Sequence, residues 1–509
     1  MITGKNYIGY QQSAKGDTSY QTINPKLNAE NTPTYWEATS EEIEEAMQLA
    51  SKAFVSFKQT PGPKRAAFLN AIADEIMALD DLLVETYMSE TGLPEGRAKG
   101  ERGRTVGQLR MFAQLIQTED WRALTIDEAI PDRAPMAKPD IRQMLIPLGP
   151  VVVFGASNFP LAYATAGGDT ASALAAGCPV VVKSHPMHAG TGELVASAIV
   201  KAAKDTGMPE GVFSNLNSSG IEVGQQLVRH PAAKAVGFTG SIRGGRALFD
   251  IAGQRPEPIP VFAEMGSINP VIITENALQE RGDEIASTYA NSITLGTGQF
   301  CTNPGLILAI EGAHLTHFIN DLGKKTAALD AQPMLHPNIH AAYNRNGAAI
   351  VNESETTLVA EYSGALQPNY AQAKLVTVKG AAFLNNPSLH QEVFGPFSMV
   401  VRCKDEQELL AVIANLEGQL TGTIIAENSD IESLEPLVSV LQDRVGRIIF
   451  NGVPTGVEVC AAMTHGGPYP ASTDSRFTAV GIQAIKRWVR PFSFQDFPKA
   501  LLPDELRNN

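Results

Sequence analysis

The stretch that decides the fold of this chain is VVVFGASNFP, residues 151–160. Its first four residues are apolar without interruption, which is typical of a strand covered on both faces of a sheet. An irregular turn follows, and residues 162–176 then have the composition of a helix. A buried strand that leads directly into a helix is the repeating unit of a parallel sheet.

The same unit recurs on the C-terminal side of this stretch. Further strands are predicted at 180–182, near 212–213 and at 235–238, with helices at 191–204, 223–228 and 246–252. This alternation predicts a parallel, doubly wound sheet. Three prolines follow at Pro256, Pro258 and Pro260, and the alternation then resumes with strands at 270–274 and 306–310 and helices at 283–295 and 314–325. The sequence therefore predicts a second α/β domain.

The flanking segments differ from these two units in composition and hydrophobic pattern. Residues 1–36 are rich in turn formers, and helical patterns follow from Ser40 and across 64–83, 85–90 and 95–117. A proline-rich connector at 131–139 leads into a weak strand at 141–146, and aromatic residues are concentrated at 485–497. Apolar side chains so near a terminus often need cover from another subunit. An equally good interpretation is that the tail packs on its own domain.

Composition limits the function. The 509 residues carry a formal net charge of -14 and no dense basic run, so neither nucleic acid nor an anionic membrane is an expected partner. The four cysteines form no CxxC pair, which disfavours a disulfide framework or a cysteine zinc site and favours a reducing cytoplasm. No signal peptide is expected, and prolines and glycines interrupt the most apolar region, 145–166. We expect a soluble cytoplasmic protein with no bound metal.

Ligands of open α/β sheets bind beyond the carboxyl ends of the strands. Asn158 follows the first strand and can donate its amide to an oxyanion, although an asparagine there is also an ordinary turn residue. Lys183 ends the second strand, where it could reach a ribose or a phosphate or be a solvated surface charge. A glycine loop containing Gly240, Ser241 and Gly245 opens a helix and suits a pyrophosphate, but it is neither a dinucleotide fingerprint nor a Walker loop.

The second predicted domain contributes an acid and a thiol. Glu264 lies among apolar residues in FAEMG, where its pKa should be raised to that of a general base. Cys301 lies in GTGQFCT, residues 296–302, a glycine-broken loop that we call the cysteine loop. A lone cysteine is most often a packing residue. A further acid and aromatic, Glu392 and Phe394, share the turn EVFGP at 392–396.

Six motifs in this order closely resemble the NAD(P)-dependent aldehyde dehydrogenase superfamily over nearly the whole chain. They are SNFP at 157–160, VK at 182–183, FTGS at 238–241 with Gly245, EMG at 264–266, GQFC at 298–301 and EVFGP at 392–396. The resemblance implies an NAD(P)-binding domain at 1–130 and 147–258 and a catalytic domain at 259–480. It also implies a small β oligomerisation element at 131–146 and 481–509, and hence a homodimer or homotetramer.

The resemblance also implies a role for each matched residue. Cys301 would attack the aldehyde carbon, with the thiohemiacetal oxyanion held by Asn158 and the Cys301 backbone N–H. Hydride transfer to the nicotinamide would leave a thioester, and Glu264 would activate the water that releases the acid. The remaining matches imply contacts with the cofactor. Lys183 would bind the adenosine ribose, and Gly240, Ser241 and Gly245 would bind the pyrophosphate. Glu392 and Phe394 would contact the nicotinamide ribose and ring, and Met265 would also belong to the cofactor site. Phe159 and Phe300 would line the substrate pocket.

The sequence leaves open which cofactor is preferred and which aldehyde is the substrate. Many NAD-preferring members carry a glutamate three residues after the strand-end lysine, whereas Pro186 occupies that position here, so either NADP or NAD is expected. The phrases FAEMGSINP at 262–270, NGVPTGVEV at 451–459 and HGGPYPASTDSR at 465–476 most resemble α-ketoglutarate-semialdehyde (2,5-dioxovalerate) dehydrogenases. They are also similar to a bacterial NADP-dependent fatty aldehyde dehydrogenase, and sugar-derived aldehydes remain alternatives. A charged substrate would need a cation, with Arg102, Arg104 and Arg110 as candidates.

The residues disfavour three other functions. An acylating reductase of the same fold needs no deacylating base, which Glu264 disfavours. A cysteine hydrolase needs a histidine partner, and none of the nine histidines lies in a recognisable pairing motif. A non-catalytic scaffold would not need both Cys301 and Glu264.

Overall fold

The computed structural model describes residues 2–507. Its first sheet has seven strands, of which five are parallel and the last two are added antiparallel at one edge. In spatial order the strands are Val261–Glu264, Ala235–Thr239, Val151–Phe154, Val180–Lys183, Phe213–Leu216, Asn6–Ile8 and Gln11–Ser13. The predicted parallel α/β architecture is confirmed.

Eight helices accompany this first sheet. They are Ser40–Phe57, Gly62–Ala78, Asp80–Thr91, Glu95–Leu115, Gly168–Ala176, Ala189–Asp205, Glu222–Arg229 and Ile242–Gly253. The first begins at a capping box formed by Thr39 and Glu42, and the fifth ends where Gly177 turns left-handed at φ +96°. That fifth helix was predicted from 162, but it begins at 168 because the preceding turn folds back, with Ala156 N donating to Tyr163 O.

The second sheet also has seven strands. In spatial order they are Thr357–Glu361, Lys374–Lys379, Phe397–Cys403, Leu306–Ile310, Pro270–Ile273, Gln419–Ile425 and Val445–Phe450. All run parallel except the first, which is antiparallel to its neighbour. Its helices are Glu275–Thr294, Ala313–Ala328, Pro337–Val351, Gly380–Asn385, Glu406–Ala414 and Glu435–Gln442.

The chain passes from the first sheet to the second at a point further along the sequence than the three prolines at 256–260 suggest. Val261–Glu264 pairs in parallel register with Ala235–Thr239, so it is an edge strand of the first sheet. The boundary at 258/259 had assigned it to the second domain. The prolines shape the connection before this strand, but strand pairing is decided by backbone hydrogen bonds that their spacing does not reveal. The domain limits themselves stay a prediction.

A third, antiparallel sheet joins distant segments. Ile141–Pro147 lies between Val489–Gln495 and Thr125–Asp127. Trp488, directly before the terminal strand, is fully buried and donates from Nε1 to Ser172 Oγ at 2.7 Å, so part of the aromatic tail packs on its own chain. Phe492 and Phe497 stay 38% and 39% exposed.

Smaller elements complete the description. Two-stranded sheets pair Ser19–Asn24 with Ala29–Trp36 and Gln332–Pro333 with Tyr370–Ala371. Short 3-10 helices lie at Asp120–Arg122, Pro186–His188, Leu295–Gly298, Pro387–His390, Asn428–Ser433, Ile482–Trp488, Lys499–Leu501 and Asp504–Leu506. Among residues 2–507, no helix has the length and apolar character needed to cross a membrane.

Candidate active site

An open cavity of about 880 Å³ lies at the carboxyl ends of the first sheet's parallel strands. The last residues of four of those strands line it, namely Phe154, Lys183, Thr239 and Glu264. The cavity brings together nine of the predicted site residues: Asn158, Lys183, Gly240, Ser241, Glu264, Met265, Cys301, Glu392 and Phe394. Three others, Gly245, Phe159 and Phe300, do not line it.

The helix Ile242–Gly253 points its N-terminus at this cavity. Ser241 caps it, with its Oγ accepting from Gly244 N at 3.2 Å, and Gly240 and Gly244 line the cavity beside it. Unpaired backbone N–H groups and the helix dipole favour an anionic ligand there. A Cβ on Gly245 would lie 2.6 Å from Met265 Sδ, so this glycine lets the helix pack on the edge of the sheet rather than contact a ligand.

Lys183 lies at another part of the same cavity. Its Nζ donates to Ser218 O at 2.8 Å, and burial lowers its pKa to about 8. His185 and Pro186 follow it along the cavity wall, so no carboxylate stands at the position after the lysine that would repel a ribose phosphate. A lysine at one strand end and an open helix N-terminus at another fit a dinucleotide, which needs ribose and pyrophosphate contacts in one cleft.

The cysteine loop has a strained backbone conformation, and two neighbours hold it in place, the turn at 392–396 and the Asn269 side chain. Gly296, Thr297 and Gly298 have φ of +55°, +58° and +63°. A Cβ on Gly298 would collide with the Gly395 carbonyl, so the loop packs backbone to backbone against the turn at 392–396. Asn269 Nδ2 donates to Cys301 O at 2.8 Å. The thiol is therefore presented by a fixed loop rather than a mobile one.

Asn158 lies beside this loop. Its Nδ2 donates to Gln299 O at 3.0 Å, which uses one of its two N–H groups and leaves the second for a ligand. The turn that carries it is anchored by Glu101, whose Oε1 accepts from Leu161 N at 2.8 Å and Ala162 N at 3.0 Å. Sequence reasoning did not identify Glu101, because no motif marks a carboxylate on a distant helix as the anchor of this turn.

Glu264, Cys301 and His465 form a buried cluster with their side-chain ligand atoms within 4.8 Å of one another. His465 Nε2 lies 2.9 Å from Glu264 Oε2 and 3.7 Å from Cys301 Sγ. The contact with Glu264 is short but poorly aligned, and neither carboxylate oxygen accepts a hydrogen bond from residues 2–507. A buried carboxylate with free acceptor capacity is suited to take a proton.

Burial and the neighbouring Glu264 carboxylate raise the pKa of the Cys301 thiol well above its usual value. The thiol is therefore protonated at neutral pH, and attack on a carbonyl requires a group that removes its proton. The spacing of the cluster would also admit a metal ion, and the expected absence of a metal stays a prediction.

His465 is the main site residue that sequence reasoning missed. The structure places it at hydrogen-bonding range of Cys301, although no histidine pairing motif was recognised in the sequence. The segment that carries it is laid against the end of the first sheet, with Met265 N donating to Ala471 O at 2.8 Å. The only sequence signal was its place at the start of HGGPYPASTDSR, which was used for family resemblance but not for chemistry.

Glu392 lines the same cavity, is half-buried, and approaches Gly266 near the start of the helix Ile242–Gly253. Burial, followed by the negative charge of Glu264, raises its pKa to about 7, while a backbone hydrogen bond from Ser267 opposes the rise. Its carboxylate packs against Gly266, where a Cβ would collide with it. A carboxylate beside a ligand cavity can accept a hydrogen bond from a hydroxyl group.

Aromatic residues lie beyond Cys301. Phe159 packs edge-to-face against Phe300 at 5.6 Å and against Tyr163 at 5.2 Å, and the Arg97 guanidinium stacks 4.3 Å above the Phe159 ring. Because neither phenylalanine lines the large cavity, these rings form a separate wall on the other side of the thiol. Their role in substrate binding stays a prediction.

Of the three arginines suggested by sequence, one lies near this wall. Arg102 donates to Asp80 O at 3.1 Å, and Arg110 pairs with Asp74 at 2.9 Å on the surface. Arg104 instead donates to Tyr163 OH at 3.2 Å. The three share one helix, Glu95–Leu115, and the turn of the helix directs only Arg104 toward the thiol.

Comparison with known proteins agrees with this geometry. Residues 10–485 match the sequence profile of the aldehyde dehydrogenase family. An alpha-ketoglutaric semialdehyde dehydrogenase 2 from Azospirillum brasilense is 49% identical over 510 residues, covering 100% of this chain and 97% of that protein. An alpha-ketoglutaric semialdehyde dehydrogenase from Acinetobacter baylyi is 44% identical over 506 residues, covering 99% and 96%.

Solved structures share the fold at low identity. A betaine aldehyde dehydrogenase from Staphylococcus aureus superposes with a TM-score of 0.84 at 20% identity, covering 98% of this chain and 95% of that one. A 1-pyrroline-5-carboxylate dehydrogenase from Thermus with bound NAD gives a TM-score of 0.82 at 22% identity, covering 96% and 92%.

Proposed function

We propose, since this chain belongs to the aldehyde dehydrogenase family, that it oxidises α-ketoglutaric semialdehyde (2,5-dioxopentanoate) to α-ketoglutarate with NAD or NADP. Enzymes of this family oxidise aldehydes to carboxylic acids. The observation that carries the substrate is the identity of 49% and 44% over essentially the full length to two proteins of that named activity.

In this proposal Cys301 attacks the aldehyde carbon. Its proton leaves to the Glu264 carboxylate or to His465 Nε2, the two groups that contact or approach the sulfur. The oxygen of the carbonyl becomes an oxyanion, which the free N–H of Asn158 and the Cys301 backbone N–H are placed to hold. The strained loop keeps both donors in position before the substrate arrives.

The cofactor would bind in the 880 Å³ cavity. Lys183 would hold the adenosine ribose, Gly240 and Ser241 the pyrophosphate, and Glu392 with Phe394 the nicotinamide ribose and ring. NAD(P) supplies the hydride acceptor. Since Pro186 leaves no repelling carboxylate after the lysine, NADP should be accepted alongside NAD.

Glu264 then acts as the base for hydrolysis of the thioester. Its two oxygens lack hydrogen-bond donors among residues 2–507, so either can accept a proton from water next to Cys301. His465 contacts Oε2 at 2.9 Å and positions the carboxylate within reach of the sulfur. The released product is the carboxylic acid, and the thiol is regenerated.

Assembly and location are further parts of the proposal. Phe492, Phe497 and Ile126 leave apolar surface on or beside the third sheet, which supports a homodimer or homotetramer formed through it. All four cysteines are free, which supports a reducing cytoplasm. Light scattering on the purified protein would test the assembly, and a monomer at micromolar concentration would contradict it.

The decisive experiment is a substrate panel. Purified enzyme is offered 2,5-dioxopentanoate, linear aldehydes from two to twelve carbons and aldehydo-sugars, each with NAD and with NADP. We expect kcat/KM for 2,5-dioxopentanoate to exceed that for pentanal by at least about 10-fold, because a pocket that pairs a substrate charge discriminates by more than 1 kcal/mol. Higher kcat/KM for a long-chain or sugar aldehyde would transfer the proposal to that substrate class.

A further inference from the structure

Two arginines from distant parts of the chain donate to neighbouring backbone carbonyls, and one of them also contacts Tyr163. Arg104 lies on the helix Glu95–Leu115, and Arg447 lies on the strand Val445–Phe450. Arg104 donates to Val457 O, and Arg447 donates to the neighbouring Gly456 O at 3.5 Å. The two guanidinium groups therefore hold the same short stretch of backbone from two sides, and we call them the arginine pair.

The arginine pair has no acidic partner. Among residues 2–507, no carboxylate lies within salt-bridge distance of either guanidinium, and the Nε of each is buried without an acceptor. Arg142 and Arg487, which are buried more deeply, pair with Asp140 and Asp169. Both guanidinium groups are half-buried, and each combines an N–H that lacks an acceptor with the absence of a neighbouring carboxylate among the described residues, so both have donors available for an anionic ligand.

The arginine pair is also close to the chemistry. Arg104 donates to Tyr163 OH at 3.2 Å, and the Tyr163 ring lies 6.0 Å from that of His465, which contacts Cys301. Burial lowers the pKa of Arg447, and the proximity of Tyr163 and Cys301 opposes that effect, so Arg447 lies within electrostatic range of the sulfur. The arginine pair does not line the 880 Å³ cavity at the strand ends.

The substrate of the proposed function has the matching dimensions. In 2,5-dioxopentanoate the aldehyde and carboxylate carbons are separated by four bonds, about 5 Å when extended. With the aldehyde carbon at Cys301, the carboxylate would therefore lie about one side chain away from the sulfur, in the direction of Tyr163. A guanidinium and a phenol hydroxyl are both good donors to a carboxylate.

We propose that Arg104 and Arg447, with the Tyr163 hydroxyl, bind the carboxylate at the far end of the substrate and give the enzyme its preference for ω-oxo acids over neutral aldehydes. This inference rests on the proposed function. It selects Arg104 from the three arginines that the sequence offered and adds Arg447 and Tyr163, which the sequence did not identify.

The test compares a charged and a neutral substrate of equal chain length. Arg104→Met and Arg447→Met are assayed with 2,5-dioxopentanoate and with pentanal. We expect kcat/KM for the charged substrate to fall about 30- to 100-fold in each, mostly through KM, while that for pentanal stays within about threefold. Arg110→Met is the matched control, since it removes a guanidinium from the same helix at a surface site and should change neither value.

Two further variants keep the test decisive if a methionine variant fails to fold. Tyr163→Phe removes only the hydroxyl and should lower kcat/KM for the charged substrate about 10-fold. Arg447→Lys keeps the charge and should restore part of the selectivity. Glutarate, as an unreactive dicarboxylate, should inhibit the wild type competitively and the arginine variants at least about 10-fold more weakly.

The outcomes separate two failures. If wild type does not prefer 2,5-dioxopentanoate to pentanal, the proposed function is wrong. If wild type has that preference but the variants lose activity on both substrates equally, the arginine pair only anchors the backbone at 456–457 and the inference is wrong. Unchanged selectivity in all variants would also overturn it.

Discussion

Cys301 separates two regions that are built in different ways. On one side, the cavity is lined by strand ends and a helix N-terminus, so much of its ligand-binding capacity comes from backbone geometry. On the other side, Tyr163, His465 and the arginine pair come from four separate segments, and their function depends on side-chain identity. A backbone site can serve a cofactor common to many enzymes, whereas a side-chain site can be changed residue by residue to suit one substrate.

The largest expected effect lies at the boundary between the two regions. Cys301→Ala removes the atom that both regions serve, so NAD(P)-dependent aldehyde oxidation should fall by at least about 10⁴-fold. The measurement is steady-state formation of reduced cofactor. Cys460→Ala, which alters an exposed cysteine, should retain full activity. Oxidation by Cys301→Ala above one-hundredth of the wild-type rate would remove the basis of the mechanism.

Glu264→Gln should separate acylation from hydrolysis. The amide cannot take a proton from water, so we expect one burst of reduced cofactor per active site and then a steady-state rate about 10²- to 10³-fold lower. Stopped-flow absorbance measures the burst. A wild-type steady-state rate in this variant would show that another group is the base.

Substitution of His465 tests whether the region beyond Cys301 acts on catalysis without affecting cofactor binding. His465→Ala removes the imidazole that contacts both Glu264 and Cys301, and kcat should fall about 10- to 100-fold with little change in the KM for cofactor. His465→Gln retains a side-chain N–H without a titrating group. If Gln restores the wild-type pH profile as well as the rate, His465 only positions its neighbours and does not transfer the proton.

Lys183→Met perturbs the opposite region. The lysine lies on the cavity wall and is not in contact with the cluster, so the KM for NADP should rise about 10-fold while the KM for aldehyde stays unchanged. Initial rates at varied cofactor give both constants, and Lys201→Met at an exposed site is the control. An equal rise in the KM for aldehyde would contradict independent regions.

The smallest predicted effect concerns thiol titration. Burial raises the pKa of Cys301, and the negative charge of Glu264 raises it further. Because Glu264→Gln removes that charge, the pKa should fall, and the pH profile of iodoacetamide alkylation should move to lower pH by about one unit or less. Glu392 acts on the thiol more weakly, so Glu392→Gln should give a smaller shift in the same direction. An unchanged profile or a shift to higher pH would contradict an electrostatic effect of Glu264 on the thiol.

The sequence predicted the four parallel strands of the first sheet that begin at Val151, Val180, Phe213 and Ala235, and two strands of the second sheet, because these runs are short, apolar and flanked by turns. It did not reveal that Val261–Glu264 pairs with Ala235–Thr239 of the first sheet, since the hydrogen-bond partners of a strand are not encoded in its own residues. Gly245 matched a motif, but its Cβ position faces Met265, and only the packed helix reveals that close approach. The assignment of individual site residues stays a prediction.

By itself, the sequence determined the parallel α/β architecture, the family and the set of residues that ends each strand. These follow from local hydrophobic pattern and from motifs of adjacent residues. Only the tertiary structure brought His465 to Cys301 and paired Arg104 with Arg447, which are 343 positions apart in the chain. Contacts of that kind depend on how separate segments pack together, and no pattern of neighbouring residues carries them.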